Sequence, residues 1–192
     1  AGVLARMGQY DSAEAILRVV MAGDPPPSVA QGTAFWLHRI SVLRGRLGAA
    51  DRENDRLRDI VRSRANRAML LGPELNQVLT QVLVLRDTAA ARRTLASAEA
   101  RLPLDSVAPE DRPYVGLVMT NAMAGNVQRA KQLAAEYARV TPKLLQRDSS
   151  DAHGMRIALA IGEGRPADAV TAIRAARAFS SCVRCYRLQE GL

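Results

Sequence analysis

The residues best suited to chemistry lie near the end of the chain, in "SSCVRCYR" (180–187), where Cys182 and Cys185 form a C-x-x-C pair. They are the only cysteines. A structural zinc site needs four ligands, and no second pair is present to complete it. A c-type haem attachment needs His after the second Cys, and Tyr186 stands there instead. Behind Ser180 and Ser181 the pair is expected at a helix N-terminus, where the helix dipole lowers a thiol pKa. It is expected to be reduced and packed, with a local disulfide between Cys182 and Cys185 as the alternative in an oxidising compartment. His38 and His153 are far apart in sequence and are expected to be ordinary helix-face residues. "GEGRP" (162–166) follows a helical pattern rather than a strand and lacks the Lys-Ser/Thr of a phosphate loop. No nucleophile elbow or metal-binding His pair occurs. No catalytic residue, metal ligand or cofactor is therefore assigned, and this region is expected to be non-enzymatic.

Charge offers a second kind of chemistry. The chain carries a formal +8, and Lys131 and Lys143 are the only lysines among 27 basic residues. That preference for Arg, beside abundant Ala, reads as GC-rich coding composition. The segment 38–67 still gathers nine arginines against four acids. Such a cluster could hold phosphates, but it lacks the aromatic residues on which single-stranded bases stack. It is expected to be a solvated helix face laced with ion pairs, with Asp55 and Asp59 set against Arg58 and Arg62. Nucleic acid is accordingly not the expected partner.

The elements that would position these groups read as helices throughout. Aromatics make up 4% of the 192 residues, hydrophobics 48% and charged residues 24%, a soluble all-α composition rather than a disordered one. The longest apolar run, "VLTQVLVL" (78–85), is far short of a membrane span. One pattern recurs along the chain. Gly125, Val127, Ala130, Ala134, Tyr137 and Pro142 fall at offsets matched by Gly8, Tyr10, Ala13, Leu17, Val20 and Pro25. Arg86, Thr88, Ala91, Leu95, Ala98 and Pro103 repeat it, as do Gly164, Pro166, Ala169, Ile173 and Ala176. A weaker copy runs Gly48, Ala50, Glu53, Leu57 and Ile60, so the turn anchors stand near 8, 48, 86, 125 and 164, a period of about 39 residues. The glycine permits a left-handed turn, the steps of three and four draw one apolar stripe, and the proline ends the helix. Apolar helix-length segments precede the turns at 28–46, 73–85, 111–123 and 151–162, while "PPPSVA" (25–30) and "PLDSVAPEDRP" (103–113) read as long loops.

These residues resemble the tetratricopeptide repeat, with Gly8, Tyr10, Ala13, Leu17 and Pro25 the best match and a period longer than the usual 34. The resemblance covers nearly the whole chain. It implies an all-α, right-handed superhelical solenoid of antiparallel helix pairs, forming one array over 1–192 that is cut mid-repeat at both ends. It also implies that first helices line a concave groove for peptides. By that alignment the groove-facing residues are Phe35, His38 and Val42, then Asn76, Thr80 and Leu83, then Arg112, Val115, Met119 and Met123. Chaperone-binding relatives hold a terminal carboxylate with Lys and Asn; this chain supplies Asn76 alone, which argues against that ligand. A groove with methionines suits a helix or an extended apolar segment. The implied function is protein–protein interaction or scaffolding, in the repeat arm of a bacterial multidomain signalling protein such as a serine/threonine kinase or nucleotide cyclase. The alternative is an inducer- or inhibitor-sensing arm of a transcription activator. The setting is the bacterial cytoplasm, or outside it if a membrane helix lies upstream.

Overall fold

The structure, a computed structural model, describes residues 1–63, 67–140 and 150–177. These residues form ten α-helices and three short 3-10 turns, with no strand among them. The helices are α1 (Gly2–Arg6), α2 (Tyr10–Ala22), α3 (Pro27–Leu43), α4 (Leu47–Arg62), α5 (Gly72–Leu83), α6 (Thr88–Arg101), α7 (Tyr114–Met123), α8 (Val127–Val140), α9 (Ser150–Gly162) and α10 (Pro166–Arg177). Among the described residues no helix is long and apolar enough to cross a membrane. The chain divides into two compact units, Ala1–Thr80 and Gln81–Leu192.

Besides Asp24 (φ 49°) between α2 and α3, five left-handed residues set the joints between helices: Gly8 (φ 77°), Gly45 (φ 70°), Arg86 (φ 58°), Gly125 (φ 83°) and Gly164 (φ 70°). At four of them the next amide reaches back five residues to close the preceding helix. Gln9 donates to the Leu4 carbonyl at 2.9 Å, and Arg46 to Ser41, Asn126 to Asn121 and Arg165 to Ala160 at 2.8 Å each. This is the hydrogen bond of a Schellman end, which consumes an otherwise orphaned carbonyl. At the fifth, Asp87 donates six residues back to Gln81 at 2.9 Å, so that turn is one residue longer. Two residues after each of these five positions a new helix starts, at Tyr10, Leu47, Thr88, Val127 and Pro166. Five residues after it stands an alanine with almost no exposure: Ala13 0%, Ala50 1%, Ala91 0%, Ala130 0% and Ala169 4%. Only a methyl group fits where the partner helix crosses this closely.

One turn differs from the sequence expectation. The left-handed residue of the second hairpin is Gly45, not Gly48, which lies inside α4. Polar burial hid the register. Counting from Gly45, Ala50 and Leu57 fall on the apolar stripe, but its middle position is Asn54, 3% exposed. The Asn54 side chain donates to the Pro73 carbonyl at 2.9 Å, tying α4 to the start of α5. The left-handed residues are therefore unevenly spaced, 37 residues from Gly8 to Gly45 and 41 from Gly45 to Arg86. The loops differ as well. Pro27 opens α3, where its missing N–H costs nothing, so 27–30 is helical rather than loop. Segment 103–113 holds two 3-10 turns, Leu104–Ser106 and Pro109–Asp111, with Leu104 and Val107 buried, and α7 starts only at Tyr114.

In the first unit, Ala5, Ala13, Leu17, Leu37 and Ile40 make one buried cluster, edged by Leu4, Tyr10 and Trp36. Ala34, Leu57 and Val61 make another with Met21, Phe35, Ile60, Met69 and Leu70 around it. In the second unit α7 packs along both α8 and α9. Its contact with α9 is close: a Cβ on Gly162 would stand 2.8 Å from the Ala122 carbonyl oxygen. Charged side chains join successive hairpins within each unit. Glu14 of α2 pairs with Arg44 and Arg46 on either side of Gly45. Arg92 of α6 donates to the Ala124 carbonyl at 3.2 Å, and Lys131 of α8 pairs with Glu163. All three donors or acceptors stand six residues after a left-handed joint.

Candidate partner-binding site

The groove residues expected from sequence meet different fates. On α3, Phe35 and Val42 are half-buried, but His38 is only 4% exposed. Its Nδ1–H donates to the Ala50 carbonyl at 3.0 Å, so it joins the two helices of its hairpin rather than facing a ligand. Burial depresses the His38 pKa below its ordinary value, and the nearby Arg39 and Arg58 charges add to this against the opposing Ala50 bond and Asp51 charge. His153 is likewise buried rather than on an open helix face, and Arg156 donates to its Nδ1 at 3.1 Å. On α5, Asn76 and Thr80 are half-buried and Leu83 is exposed. The Thr80 hydroxyl is spent on the Asn76 carbonyl at 3.1 Å.

The third set is the best formed. Val115, Met119 and Met123 stand at successive steps of four along α7, each half-exposed. Tyr114, Leu117, Val118, Asn121 and Ala122 fill the buried side of the same helix. Gly154 of α9 lies against this face: a Cβ there would meet Val115 Cγ1 at 3.9 Å and Met119 Sδ at 4.0 Å. Arg112 does not belong to the face. It precedes α7, donates to the Val107 carbonyl at 2.8 Å, and pairs with Glu136. The Tyr114 hydroxyl donates to the same Glu136 at 2.9 Å, and Tyr114 meets Tyr137 edge to face. Arg112 is thus a brace between the loop and α8.

A second cluster, around Trp36 and Arg39, carries no motif that marks it in the sequence. Phe35 and Trp36 meet at 5.9 Å with their planes 80° apart. The Arg39 guanidinium carbon lies 5.5 Å from the Phe35 ring centre and 5.8 Å from that of Trp36. Arg6, from α1, stands 5.8 Å from the Trp36 ring. With Ala5, Ile40 and Leu43 these side chains line a cavity of about 340 Å³ inside the first unit. Packing on the rings strips water from the Arg39 guanidinium and, with Arg6 close by, lowers its pKa.

A larger cavity, about 590 Å³, lies along α9 and α10 and is lined by His153, Arg156, Glu163, Arg165 and Asp168 among others. Its charges are matched internally. Arg165 pairs with both Glu163 and Asp168, and hydrogen bonds from Lys131 and then Arg165 hold the Glu163 carboxyl below its usual range. A carboxylate so held is a poor general base. Three arginines of 38–62 are similarly engaged: Arg58 with Asp55 and Glu74, Arg62 with Asp59, and Arg44 with Asp11 and Glu14. Among the described residues no group of three or more His, Cys, Asp or Glu could hold a metal ion. Cys182 and Cys185, expected reduced with a disulfide as the alternative, lie outside the described residues. No known protein family, curated protein or solved structure matches the chain.

Proposed function

We propose that the chain is a protein-binding scaffold module built from tetratricopeptide-type hairpins of a solenoid, serving as the interaction arm of a larger signalling protein. The recurring left-handed joint and the buried alanine five residues beyond it support the repeat reading. One observation carries the binding reading: α7 leaves Val115, Met119 and Met123 half-exposed in a row, beside a glycine of the neighbouring helix. Apolar side chains on a packed helix normally turn inward, and a row left open suits the apolar side of a bound segment. Methionine adapts its shape to what it meets, and Gly154 keeps the approach low. Because the helices are already in place, binding need not order them, which limits its entropic cost.

Selection of displayed peptides against the whole 192-residue chain tests this. Enriched peptides should lose at least tenfold in affinity against Met119→Glu, since a carboxylate cannot be desolvated there without a partner. The substituted side chain is half-exposed, so the fold should survive, as an unchanged circular dichroism spectrum would show. Enriched peptides that bind Met119→Glu and Val115→Glu as well as the parent would refute the proposed face.

A further inference from the structure

The cavity between α1 and α3 sets a cation against aromatic rings rather than against a carboxylate. Arg18, Arg44, Arg46, Arg58 and Arg62 each pair with a carboxylate. Arg39 has none among the described residues; it lies on the Phe35 and Trp36 rings instead, with the Arg6 charge beside it. The Arg39 cation is thus held over an aromatic wall, above a floor of Ala5 and Ile40, which are 4% and 0% exposed. Leu43, 60% exposed, forms an apolar rim. The wall is rigid, because the Trp36 indole packs so near α1 that a Cβ on Gly2 would stand 3.0 Å from it. A carboxylate brought to this cation gains a charge-assisted bond that the apolar floor beside it strengthens.

We propose that this cavity receives an acidic side chain of a bound protein segment, with an apolar or aromatic neighbour of that side chain seated on Phe35, Trp36 and Leu43. The inference deepens the protein-binding reading above and rests on it. Arg39 supplies the planar fork that grips a carboxylate, and the rings hold it in place. A volume of about 340 Å³ takes such a pair of side chains, and Phe35, already expected to face a partner, belongs to it.

Trp36 is the only tryptophan in the chain, so its fluorescence reports this cavity alone. The intact chain would be titrated with a blocked tetrapeptide holding a glutamate beside a phenylalanine, with its glutamine counterpart, and with free phenylacetate. Saturable change with the glutamate peptide is expected, at least tenfold weaker for the glutamine peptide and for Arg39→Gln. Arg39→Lys should recover part of the loss, because the charge is kept and the fork is not. Weakening with added salt should accompany it. Equal binding of the two peptides, unchanged binding to Arg39→Gln, or no binding at all would overturn the proposal. Binding of phenylacetate without the peptide would also overturn it, in favour of a small free acid. The two readings separate cleanly: selected peptides that need Met119 but ignore Arg39 would sink this cavity alone. Glutamate binding that needs Arg39, with no peptide ever selected, would sink the wider one.

Discussion

Inside the α3–α4 hairpin, His38 spends its Nδ1–H on the Ala50 carbonyl, and burial keeps its pKa below the ordinary 6.5. The unfolded chain therefore takes up a proton near pH 6.5 that the folded chain resists. Between the two pKa values the unfolded state binds more protons, so stability is complete above about 6.5 and declines as pH falls below it. Glu14 acts in a lower window. Its carboxyl is held down first by the Arg46 hydrogen bond, so its contribution is present above 4.5 and fades below that. Urea midpoints measured from pH 8 to 5.5 should fall toward the acid end, and His38→Gln should flatten the profile. A flat parent profile would contradict the burial argument. At this scale the sequence misleads at His38, because a histidine in a helical stretch looks like a surface residue. Its partner, the Ala50 carbonyl, becomes a neighbour only once the helices pack, and the exposed Arg39 meets the Phe35 and Trp36 rings in the same way.

The hairpin joint is where sequence and structure agree most closely, and where the one disagreement is instructive. Gly8, Arg86, Gly125 and Gly164 announce their joints because the residues after them carry the apolar stripe. Gly45 does not, because Glu53 and Asn54 are buried polar residues, one within 3.7 Å of Arg18 and the other bonded to Pro73. Apolar pattern-matching cannot see a stripe made partly of buried polar groups. Substitution at the joints separates the two registers. A side chain in the left-handed region costs about 1–2 kcal/mol, so Gly45→Ala should destabilise by that amount. Gly48→Ala, inside a helix with no close neighbour, should be neutral or stabilise by up to about 1 kcal/mol. Arg86→Gly should stabilise, since Arg86 already bears the strain at φ 58°. Chemical denaturation of the three variants reads all of this, and equal losses at Gly45 and Gly48 would reject the assigned register.

For the whole molecule, all-helical character was legible from composition and periodicity, because scarce aromatics and steps of three and four leave few alternatives. The groove residues drawn from the sequence differ in exposure: Val115, Met119 and Met123 are partly exposed, whereas His38 and Arg112 are engaged within the fold. The arginine excess gives a further test. Ion pairs such as Arg62–Asp59, 69% and 76% exposed, contribute little, and salt also relieves the repulsion of the +8 net charge. Raising sodium chloride from low to half-molar concentration should therefore move Tm by less than about 4 °C, the shift that about 1 kcal/mol produces at this chain length. A larger drop would mean that the pairs hold the fold together.

The charged contacts between hairpins have a consequence for how such a chain can change. Glu14 meets two arginines at the next joint, while Lys131 meets a glutamate at the next one. If α8 were spliced in front of the α3–α4 joint, Lys131 would confront Arg44 and Arg46. At these two joints the sign of one side chain fits only the hairpin that follows it. The two hairpins are therefore not interchangeable parts, and a rearranged chain would have to change these charges as well.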